Sequence, residues 1–188
     1  MGKFRFIETG FEGLYVIEPK VFGDERGFFM EFYNKREFQD AGIDVEFVQD
    51  NHSRSRKGVL RGMHFQKKHP QGKLVRVTRG AVFDAVIDIR KDSPTFGKWY
   101  GVELSEENKR MLYVPPGFAH GFLALTDIVD FMYKCTDFYY PDDEGGIIWN
   151  DPDIGIEWPL ERVGERITIS RKDQRWPSLS SQKGMFSD

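Results

Sequence analysis

Val59-Leu-Arg-Gly-Met-His-Phe-Gln66 is the stretch of sequence that most constrains the fold. Its composition predicts a β-strand, and Lys73-Leu-Val-Arg-Val77 predicts a second strand after a short polar loop. Side chains alternate along a strand, so each residue of the first strand can be assigned to a face. The two faces are expected to hold Leu60, Gly62, His64 and Gln66 on one side, and Arg61, Met63 and Phe65 on the other.

Polar and charged side chains interrupt both faces of this predicted strand. A histidine shares a face with leucine, a cation lies next to methionine and phenylalanine, and Lys73 begins an otherwise apolar strand. Burying such groups is costly unless an anionic or hydrogen-bonding partner meets them. An anionic ligand inside a β-barrel would supply that partner. The alternative is a solvated sheet edge, where Lys and Arg on strands commonly lie.

The rest of the chain predicts an all-β antiparallel sandwich or barrel with a few short helices. About ten short strands recur at roughly 8–12-residue spacing, with Gly and Pro turns between them. The clearest helix has Asn34 as N-cap, Glu37 at the capping-box position and Gly42 at its end. No linker or fixed-period repeat divides the chain, so residues 1–188 are predicted to form a single domain. The Ser-rich tail from about residue 177 is expected to be mobile.

Several predicted strands carry polar residues at alternate positions. Gln49, Asn51 and Ser53 would share one face, a row of neutral donors and acceptors suited to a sugar or a base edge. The alternative is a loop, which Asn, Asp and Ser favour. In residues 81–90 the second face of an alternating strand holds Asp84 and Asp88, which indicates a wet face or a polar cavity.

An aromatic strand is predicted from residue 28 to residue 33, after a charged turn that contains Arg26. Glu31 lies within this strand and needs a partner if it is buried, and Arg26 is the candidate. The alternative is an exposed edge strand, on which a glutamate needs no partner.

Bulk composition excludes several classes of protein. The net charge is −3, so the chain lacks the overall basic character of nucleic-acid-binding proteins. The one cysteine, Cys135, cannot form an internal disulfide, which suits a reducing cytoplasm, and it is expected in the core. The N-terminal residues lack the apolar run of a signal peptide, and no window approaches the roughly 20 apolar residues of a membrane span. We therefore expect a cytoplasmic protein that binds neither nucleic acid nor membranes.

A metal site is not expected. The turn at residues 115–120, Pro-Pro-Gly-Phe-Ala-His, fits the Pro-x-Gly-x-x-His pattern that metal-binding jelly rolls of the cupin type also show. Those sites also need a closely spaced histidine pair and a carboxylate, because three or four ligands must converge on the metal. His64 and His69 are five residues apart with two lysines between them, and the sequence contains no His-x-His. The turn therefore predicts a cupin-like jelly roll without a metal.

Acid–base chemistry fits the residues that remain. The chain has no Gly-x-Ser-x-Gly elbow, phosphate loop or dinucleotide fingerprint. His64 can accept a proton near neutral pH, Tyr133 can donate one, and Lys73 can stabilise an oxyanion. A histidine base also needs a carboxylate to orient its other nitrogen. The sequence offers three and leaves the choice open: Asp84, Asp88 and Asp173.

Ordered motifs run from about residue 4 to residue 177, nearly the whole chain. They are Asp24-Glu-Arg-Gly27, Gln49-Asp-Asn51, Gly58-Val-Leu-Arg-Gly-Met-His-Phe-Gln66, Pro70-Gln-Gly-Lys-Leu-Val75, Pro116-Gly-Phe-Ala-His-Gly-Phe122, Tyr133-Lys-Cys-Thr136 and Ile169-Ser-Arg-Lys-Asp173. Together they resemble the dTDP-4-dehydrorhamnose 3,5-epimerases, whereas any one alone would be a weak signal. The resemblance implies a jelly-roll homodimer with strand exchange and no cofactor. It further implies inversion of C3 and C5 of dTDP-4-dehydro-6-deoxy-D-glucose to give dTDP-4-dehydro-L-rhamnose, in dTDP-L-rhamnose biosynthesis.

The resemblance also implies a role for each matching residue. His64 would be the base that removes the C3 and C5 protons, and Asp173 would orient it. Tyr133 would be the acid on the opposite face of the sugar, and Lys73 would steady the enolate oxygen. The further substrate-binding positions are Arg61 and His120 beside the sugar and diphosphate, and Arg26, Glu31, Gln49, Asn51, Glu144 and Lys172 on the nucleotide sugar. Because the dimer exchanges strands, Glu31 is expected in the partner subunit's site.

Three rival functions remain at this point. The nearest is an epimerase of the same fold that acts at one carbon only, or a related isomerase. A sugar- or nucleotide-binding jelly roll without catalysis would need neither the base nor the acid. A metal-dependent cupin oxygenase is disfavoured because the chain lacks the histidine pair.

Overall fold

The computed structural model describes residues 2–164 and 167–185, with side chains described as far as Gln182. Its regular elements are β1 (Phe4–Glu8), β2 (Tyr15–Pro19), β3 (Phe22–Asp24), β4 (Gly27–Phe29), α1 (Lys35–Asp40), β5 (Gln49–Arg56), β6 (Val59–Gln66), β7 (Lys73–Arg79), β8 (Ala81–Asp88), β9 (Trp99–Ser105), β10 (Met111–Val114), β11 (Phe118–Ala124), β12 (Ile128–Cys135), β13 (Glu144–Gly146) and β14 (Thr168–Ile169). Short 3-10 helices lie at Pro141–Asp143, Leu160–Arg162, Asp173–Arg175 and Ser180–Met185.

Two large sheets pack face to face. The first has the strand order β1-β2-β10-β7-β12-β5, and the second has the order β13-β6-β11-β8-β9 with β14 beside β6. The pairs are antiparallel except β14 with β6, and β3 and β4 form a separate hairpin. The prediction of an all-β jelly roll with a few short helices is confirmed.

The core follows the alternation of side chains along the strands. Val82 and Val86 of β8 face the cluster between the two sheets, whereas Ala85 and Ile87 face a second cluster outside the second sheet. This confirms the predicted alternation of residues 81–90. A third cluster lies between the outer face of the first sheet and α1, where Phe38 is fully buried.

Strand β6 departs from the predicted alternation. Leu60, Met63 and Phe65 pack in the outer cluster, whereas Arg61 and His64 reach toward the first sheet. The prediction that Leu60 shares a face with His64, and Arg61 with Met63, is therefore wrong. The pairing with β11 gives the reason. Between Arg61 and His64 β6 advances three residues while β11 advances two, from Phe122 to His120. This bulge inverts the faces of β6 halfway along the strand.

Helix α1 forms as predicted. The Asn34 side chain accepts hydrogen bonds from the backbone N–H groups of Arg36 and Glu37, and Gly42 follows the helix with a φ of 86°. Glu37 occupies the predicted capping-box position, and its carboxylate accepts from the backbone N–H of Lys3 at 2.7 Å. Among the described residues, no helix is long and apolar enough to cross a membrane.

The aromatic segment after residue 27 forms less strand than predicted, since β4 ends at Phe29. Glu31 pairs with the ammonium of Lys3, and Arg26 pairs with Asp24. The predicted Arg26–Glu31 pair is therefore wrong. Asp24 ends β3 and Arg26 lies in the two-residue turn that follows, so their side chains meet locally.

The C-terminal segment differs from the expected mobile tail. Leu179 is buried in the outer cluster, and its backbone N–H donates to Asp151 Oδ2 at 2.7 Å. The Gln182 side chain donates to the carbonyl oxygen of Gly146 at 3.0 Å. Serine-rich composition indicates a loop, but a buried leucine and several hydrogen bonds hold residues 177–182 against the second sheet. The last residues of the predicted tail, 186–188, lie outside the described residues.

Candidate active site

A pocket of about 230 Å³ opens between the two sheets, where β5, β6, β7 and β12 come together. Six of the residues that the sequence predicted for the site line it, namely Gln49, Asn51, His64, Lys73, Tyr133 and Glu144. The pocket contains both the proposed base and the proposed acid, from opposite sheets.

Pairing within the first sheet explains why distant residues meet on one wall of the pocket. Asn51 of β5 lies opposite Tyr133 of β12, and Cys135 lies between Gln49 and Lys73. Gln49 donates to the Asn51 side chain at 3.0 Å. The segment from residue 49 is thus a strand, as the alternation predicted, and its amides face the pocket.

His64 and Asp173 form the first of two histidine–carboxylate pairs. His64 Nε2 lies 2.7 Å from Asp173 Oδ1. The backbone N–H of Gly62 donates to Oδ2 at 3.4 Å, and the indole N–H of Trp176 donates to Oδ1 at 3.3 Å. Burial raises the pKa of Asp173, but the bonds from His64, Gly62 and Trp176 together lower it below its ordinary value. An ionised Asp173 accepts from Nε2–H, which leaves Nδ1 of His64 as the proton acceptor.

His120 and Asp84 form the second pair, directly beside the first. His120 lies opposite His64 in the pairing of β11 with β6. Its Nε2 lies 3.0 and 2.9 Å from the two oxygens of Asp84, which is completely buried. Burial raises the pKa of Asp84, while the charges of His120 and Lys73 oppose that shift.

Asp88 takes no part in the pocket. It is completely buried and accepts hydrogen bonds from Arg90, Ser93 and Thr95. The second face of β8 is therefore not wet, because both of its carboxylates are buried with hydrogen-bonding partners. Of the three carboxylates that the sequence left open, Asp173 is the one bonded to His64.

Burial shifts the pKa values of both Lys73 and Tyr133. Burial lowers the pKa of Lys73, and the nearby Cys135, Asp84 and Glu144 act in the opposite direction. Burial also raises the pKa of Tyr133. A poorly hydrated cation interacts strongly with a developing oxyanion, and a phenol with a raised pKa stays protonated at neutral pH.

The rim of the pocket is held by Glu144. Its Oε2 accepts from Lys172 Nζ at 2.7 Å and from Tyr139 O–H at 2.9 Å. Burial raises the pKa of Glu144, but these two donors lower it overall below its ordinary value. Lys172, which the sequence predicted as a substrate-binding residue, therefore lies beside the pocket. Tyr139 was missed by the sequence reasoning, although an aromatic run just before an acidic turn was a signal that could have found it. Gln66 and Gln71, which also line the pocket, carried no such signal.

The remaining predicted residues lie in two different places. Arg61 Nε donates to Ser55 at 3.1 Å, and the Arg61 charge acts on Tyr133, so Arg61 lies near the pocket. Arg26 and Glu31 do not line this pocket, because the first lies on the β3–β4 hairpin and the second pairs near the N-terminus.

Cys135 also lines the pocket, whereas His52 and His69 do not. Cys135 is buried, it contacts the Asn51 amide at 3.5 Å, and burial raises the pKa of its thiol, as expected of a core cysteine. His52 contacts Asp130, and His69 stacks on a tyrosine. In residues 2–164 and 167–185, no group of three or more His, Cys, Asp or Glu side chains is placed to hold a metal ion.

Comparison with known proteins agrees with the geometry. A family model described as dTDP-4-dehydrorhamnose 3,5-epimerase matches residues 8–181. The enzyme of that name from Methanothermobacter thermautotrophicus is 57% identical over 95% of this chain and 96% of its own length. The Salmonella typhimurium enzyme is 55% identical over 92% of this chain and 94% of its own.

Solved structures of the same family superpose closely. The dTDP-6-deoxy-D-glucose-3,5-epimerase of Legionella pneumophila, in complex with dTDP-4-keto-L-rhamnose, has a TM-score of 0.90 and 50% identity, and the match covers 94% of this chain and 93% of that one. A 3'-monoepimerase from Streptomyces bikiniensis, in complex with dTDP-quinovose, has a TM-score of 0.87 at 34% identity over 94% and 89% of the two chains. The chain belongs to the dTDP-4-dehydrorhamnose 3,5-epimerase family, and it is an isomerase of the epimerase class.

Proposed function

We propose that this chain inverts both C3 and C5 of dTDP-4-dehydro-6-deoxy-D-glucose, without a cofactor, to give dTDP-4-dehydro-L-rhamnose for dTDP-L-rhamnose biosynthesis. One observation carries the proposal: His64 with its bonded Asp173, Lys73 and Tyr133 meet in a single pocket. A base, a cation and an acid are what epimerisation next to a ketone requires. A protein that only binds its ligand has no use for the His64–Asp173 pair.

Proton removal would begin at Nδ1 of His64. The C4 ketone acidifies the neighbouring C3–H and C5–H bonds, so the base leaves an enolate with its charge on the C4 oxygen. The Lys73 ammonium, partly withdrawn from water, lowers the energy of that oxyanion. Asp173 stabilises the imidazolium that forms. A positioned general base contributes a factor of about 10²–10⁴.

Proton return would come from Tyr133 on the other face of the sugar ring. His64 lies on β6 of the second sheet and Tyr133 on β12 of the first, with the pocket between them. Protonation from the side opposite to removal inverts the carbon. The proton gained by His64 and the proton lost by Tyr133 are then exchanged with solvent, and the second carbon reacts in the same way.

Substrate binding would use the cations around the pocket. Lys172 at the rim and Arg61 near the pocket supply positive charge and donors for a diphosphate, in a chain whose net charge is negative. Gln49 and Asn51 supply neutral donors for the sugar. Glu144 fixes Lys172 and the Tyr139 ring at the entrance.

We also propose a homodimer whose β3–β4 hairpin enters the partner's site. Phe28 and Phe29 are 61% and 67% exposed. Large apolar patches on a protein surface usually mark an interface, so this hairpin is a candidate for one. Arg26 on the same hairpin is exposed as well. A second groove of about 290 Å³ beside Phe32 adds to this apolar surface.

Subunit mixing would test this exchange. His64→Ala subunits and Arg26→Ala subunits are each expected to be weakly active alone. If the hairpin acts across the dimer, mixed dimers contain one site with an intact His64 and an intact partner hairpin, and activity returns. No recovery in mixtures, or a monomeric mass by light scattering, would contradict the proposal.

A single-carbon epimerase is the second candidate, because the 3'-monoepimerase from Streptomyces bikiniensis shares the fold. Deuterium uptake separates the two. The protein is incubated in D₂O with dTDP-4-dehydro-6-deoxy-D-glucose, with no added metal or nicotinamide, and C3 and C5 are followed by NMR. Two deuterons with inversion at both carbons are expected. One deuteron would move the assignment to the single-carbon enzyme, and none, with ligand bound, would reject epimerisation of this substrate.

A further inference from the structure

Trp176 lies directly behind the His64–Asp173 pair. Its indole N–H donates to Asp173 Oδ1 at 3.3 Å, and the same oxygen lies 2.7 Å from His64 Nε2. The rings of Trp176 and His64 meet edge to face, with centroids 6.4 Å apart and 71° between their planes. One side chain thus contacts both members of the pair.

Gly146 provides the space for the indole. Strand β13 pairs with β6 so that Gly146 lies opposite His64. A Cβ atom at Gly146 would lie 2.4 Å from two carbon atoms of the Trp176 ring, far inside van der Waals contact. The φ of Gly146 lies outside the left-handed region, so close approach is what demands glycine at this position.

The segment around Trp176 is held on several sides. The Lys172 ammonium lies 5.9 Å from the centre of the indole ring and also donates to Glu144. Further along the chain, Gln182 donates to the carbonyl oxygen of Gly146. These contacts hold the indole between the rim of the pocket and the His64–Asp173 pair.

We propose that Trp176 is a positioning residue of the reaction, which acts by fixing the Asp173 carboxylate that orients His64. A carboxylate held by the histidine alone could rotate about its Cβ–Cγ bond and carry the imidazole with it. The indole N–H and the backbone N–H of Gly62 bind the two oxygens separately and oppose that rotation. This inference rests on the proposed role of His64 as the base.

The direct test is Trp176→Phe, which keeps a ring beside Gly146 and removes the N–H donor. We expect kcat to fall about tenfold, the factor that one hydrogen bond to a charged group is worth. The KM and the calorimetric affinity for dTDP should stay within about twofold, because Trp176 does not line the pocket. The matched control is Trp158→Phe, which loses an indole bond to the carbonyl oxygen of Trp149 in the outer cluster and should leave kcat unchanged.

A double-mutant cycle with Asp173→Ala separates positioning from general damage. If Trp176 acts through Asp173, then Trp176→Phe has little further effect on kcat once the carboxylate is gone. Equal losses in both backgrounds would overturn the proposal, and so would an unchanged kcat in the single variant.

Gly146→Ala supplies an independent check, because it displaces the indole without changing any hydrogen-bonding side chain. It should reproduce the loss of kcat seen with Trp176→Phe, and it should add almost nothing in a Trp176→Ala background. A full loss in both backgrounds would contradict the proposal.

The wild-type reaction distinguishes a failure of the proposed function from a failure of the proposed role of Trp176. If wild-type protein takes up no deuterium from D₂O, the proposed function fails. If wild type is active and His64→Ala is not, while Trp176→Phe retains full kcat, only the role of Trp176 fails.

Discussion

His64 and His120 lie opposite each other on paired strands, and the Nε2 atom of each lies within 3.0 Å of a buried carboxylate, that of Asp173 or Asp84. They differ in what surrounds them. The His64 side chain is 30% exposed and faces the pocket, whereas that of His120 is 9% exposed and stacks against Phe131. Hydrogen-bond geometry alone therefore does not identify a catalytic histidine. The free ring nitrogen must also face a space that a substrate can enter.

The two carboxylates differ as well. Asp173 accepts three hydrogen bonds, so its pKa lies below the ordinary value despite burial. Asp84 has His120 and the charge of Lys73 to oppose its burial, and its pKa is raised. The first arrangement keeps an anion beside a histidine that must gain a proton. The second places a buried histidine–carboxylate pair close to Lys73, where it helps to fix the surroundings of the cation.

The largest expected effect is a loss of activity that distinguishes the His64–Asp173 pair from the His120–Asp84 pair. His64→Ala should lower kcat by about 10²–10⁴, because the base is gone. Its unfolding free energy should fall by less than that of His120→Ala, because Asp173 keeps the hydrogen bonds from Gly62 and Trp176 after His64 is removed. Steady-state kinetics and urea unfolding of the same preparation would measure both. A variant that keeps normal turnover would end the assignment of His64 as the base.

Asp173→Asn should follow, with kcat lower by about 10², because the imidazolium loses its anion while the shape of the side chain is kept. The dTDP affinity measured by calorimetry should stay near that of the wild type, which serves as the check that the pocket is intact. A loss of dTDP binding as large as the loss of kcat would mean that Asp173 supports the pocket as a whole.

His120→Ala should show the reverse balance. Removing His120 leaves Asp84 completely buried without its partner, and the unfolding free energy should fall by about 3 kcal/mol. The folded fraction should lose only about tenfold in kcat, because the base and its carboxylate remain. Stability from urea unfolding and activity at a temperature where the variant is folded provide the comparison. A stable but inactive variant would show that the buried pair takes part in the chemistry.

The smallest effect is expected at a third histidine–carboxylate contact, His52–Asp130, outside the pocket. The hydrogen bond from Arg54 is the main reason that the pKa of Asp130 is lowered to about 2. Because the folded-state pKa is depressed, Asp130 contributes stability above its ordinary pKa, and the contribution is lost as the pH falls from about 4 to about 2. Asp130→Asn should therefore lower Tm slightly at pH 7 and not at pH 2, with unchanged kcat. Equal differences in Tm at the two pH values would contradict the linkage.

Much of this arrangement could be predicted from sequence patterns. Alternation identified the two faces of β8 and the polar row of β5, and the cap signals located α1. Ordered motifs identified the family. Of the six predicted site residues that line the pocket, four lie on β5, β7 and β12, which are neighbours in one sheet. The other two, His64 and Glu144, lie on β6 and β13, which pair in the opposite sheet.

The errors arose where the structure depends on distant or irregular contacts. The bulge in β6 exchanged the faces of Leu60 and Arg61, and a period-two pattern contains no sign of a bulge. Asp173 lies 109 residues from His64, so the choice among the carboxylates needed the tertiary fold. Glu31 pairs with Lys3 in the N-terminal segment, whereas the sequence reasoning considered only the nearby Arg26.

Deuterium exchange by paired variants would test the central claim most directly. His64→Ala and His120→Ala are incubated at equal folded concentrations in D₂O with dTDP-4-dehydro-6-deoxy-D-glucose, and the rates of uptake at C3 and C5 are measured by NMR. The account predicts that His64→Ala loses exchange at both carbons while His120→Ala retains it at about a tenth of the wild-type rate. Retained exchange with His64→Ala, or complete loss with folded His120→Ala, would show that the roles of the two pairs have been assigned wrongly.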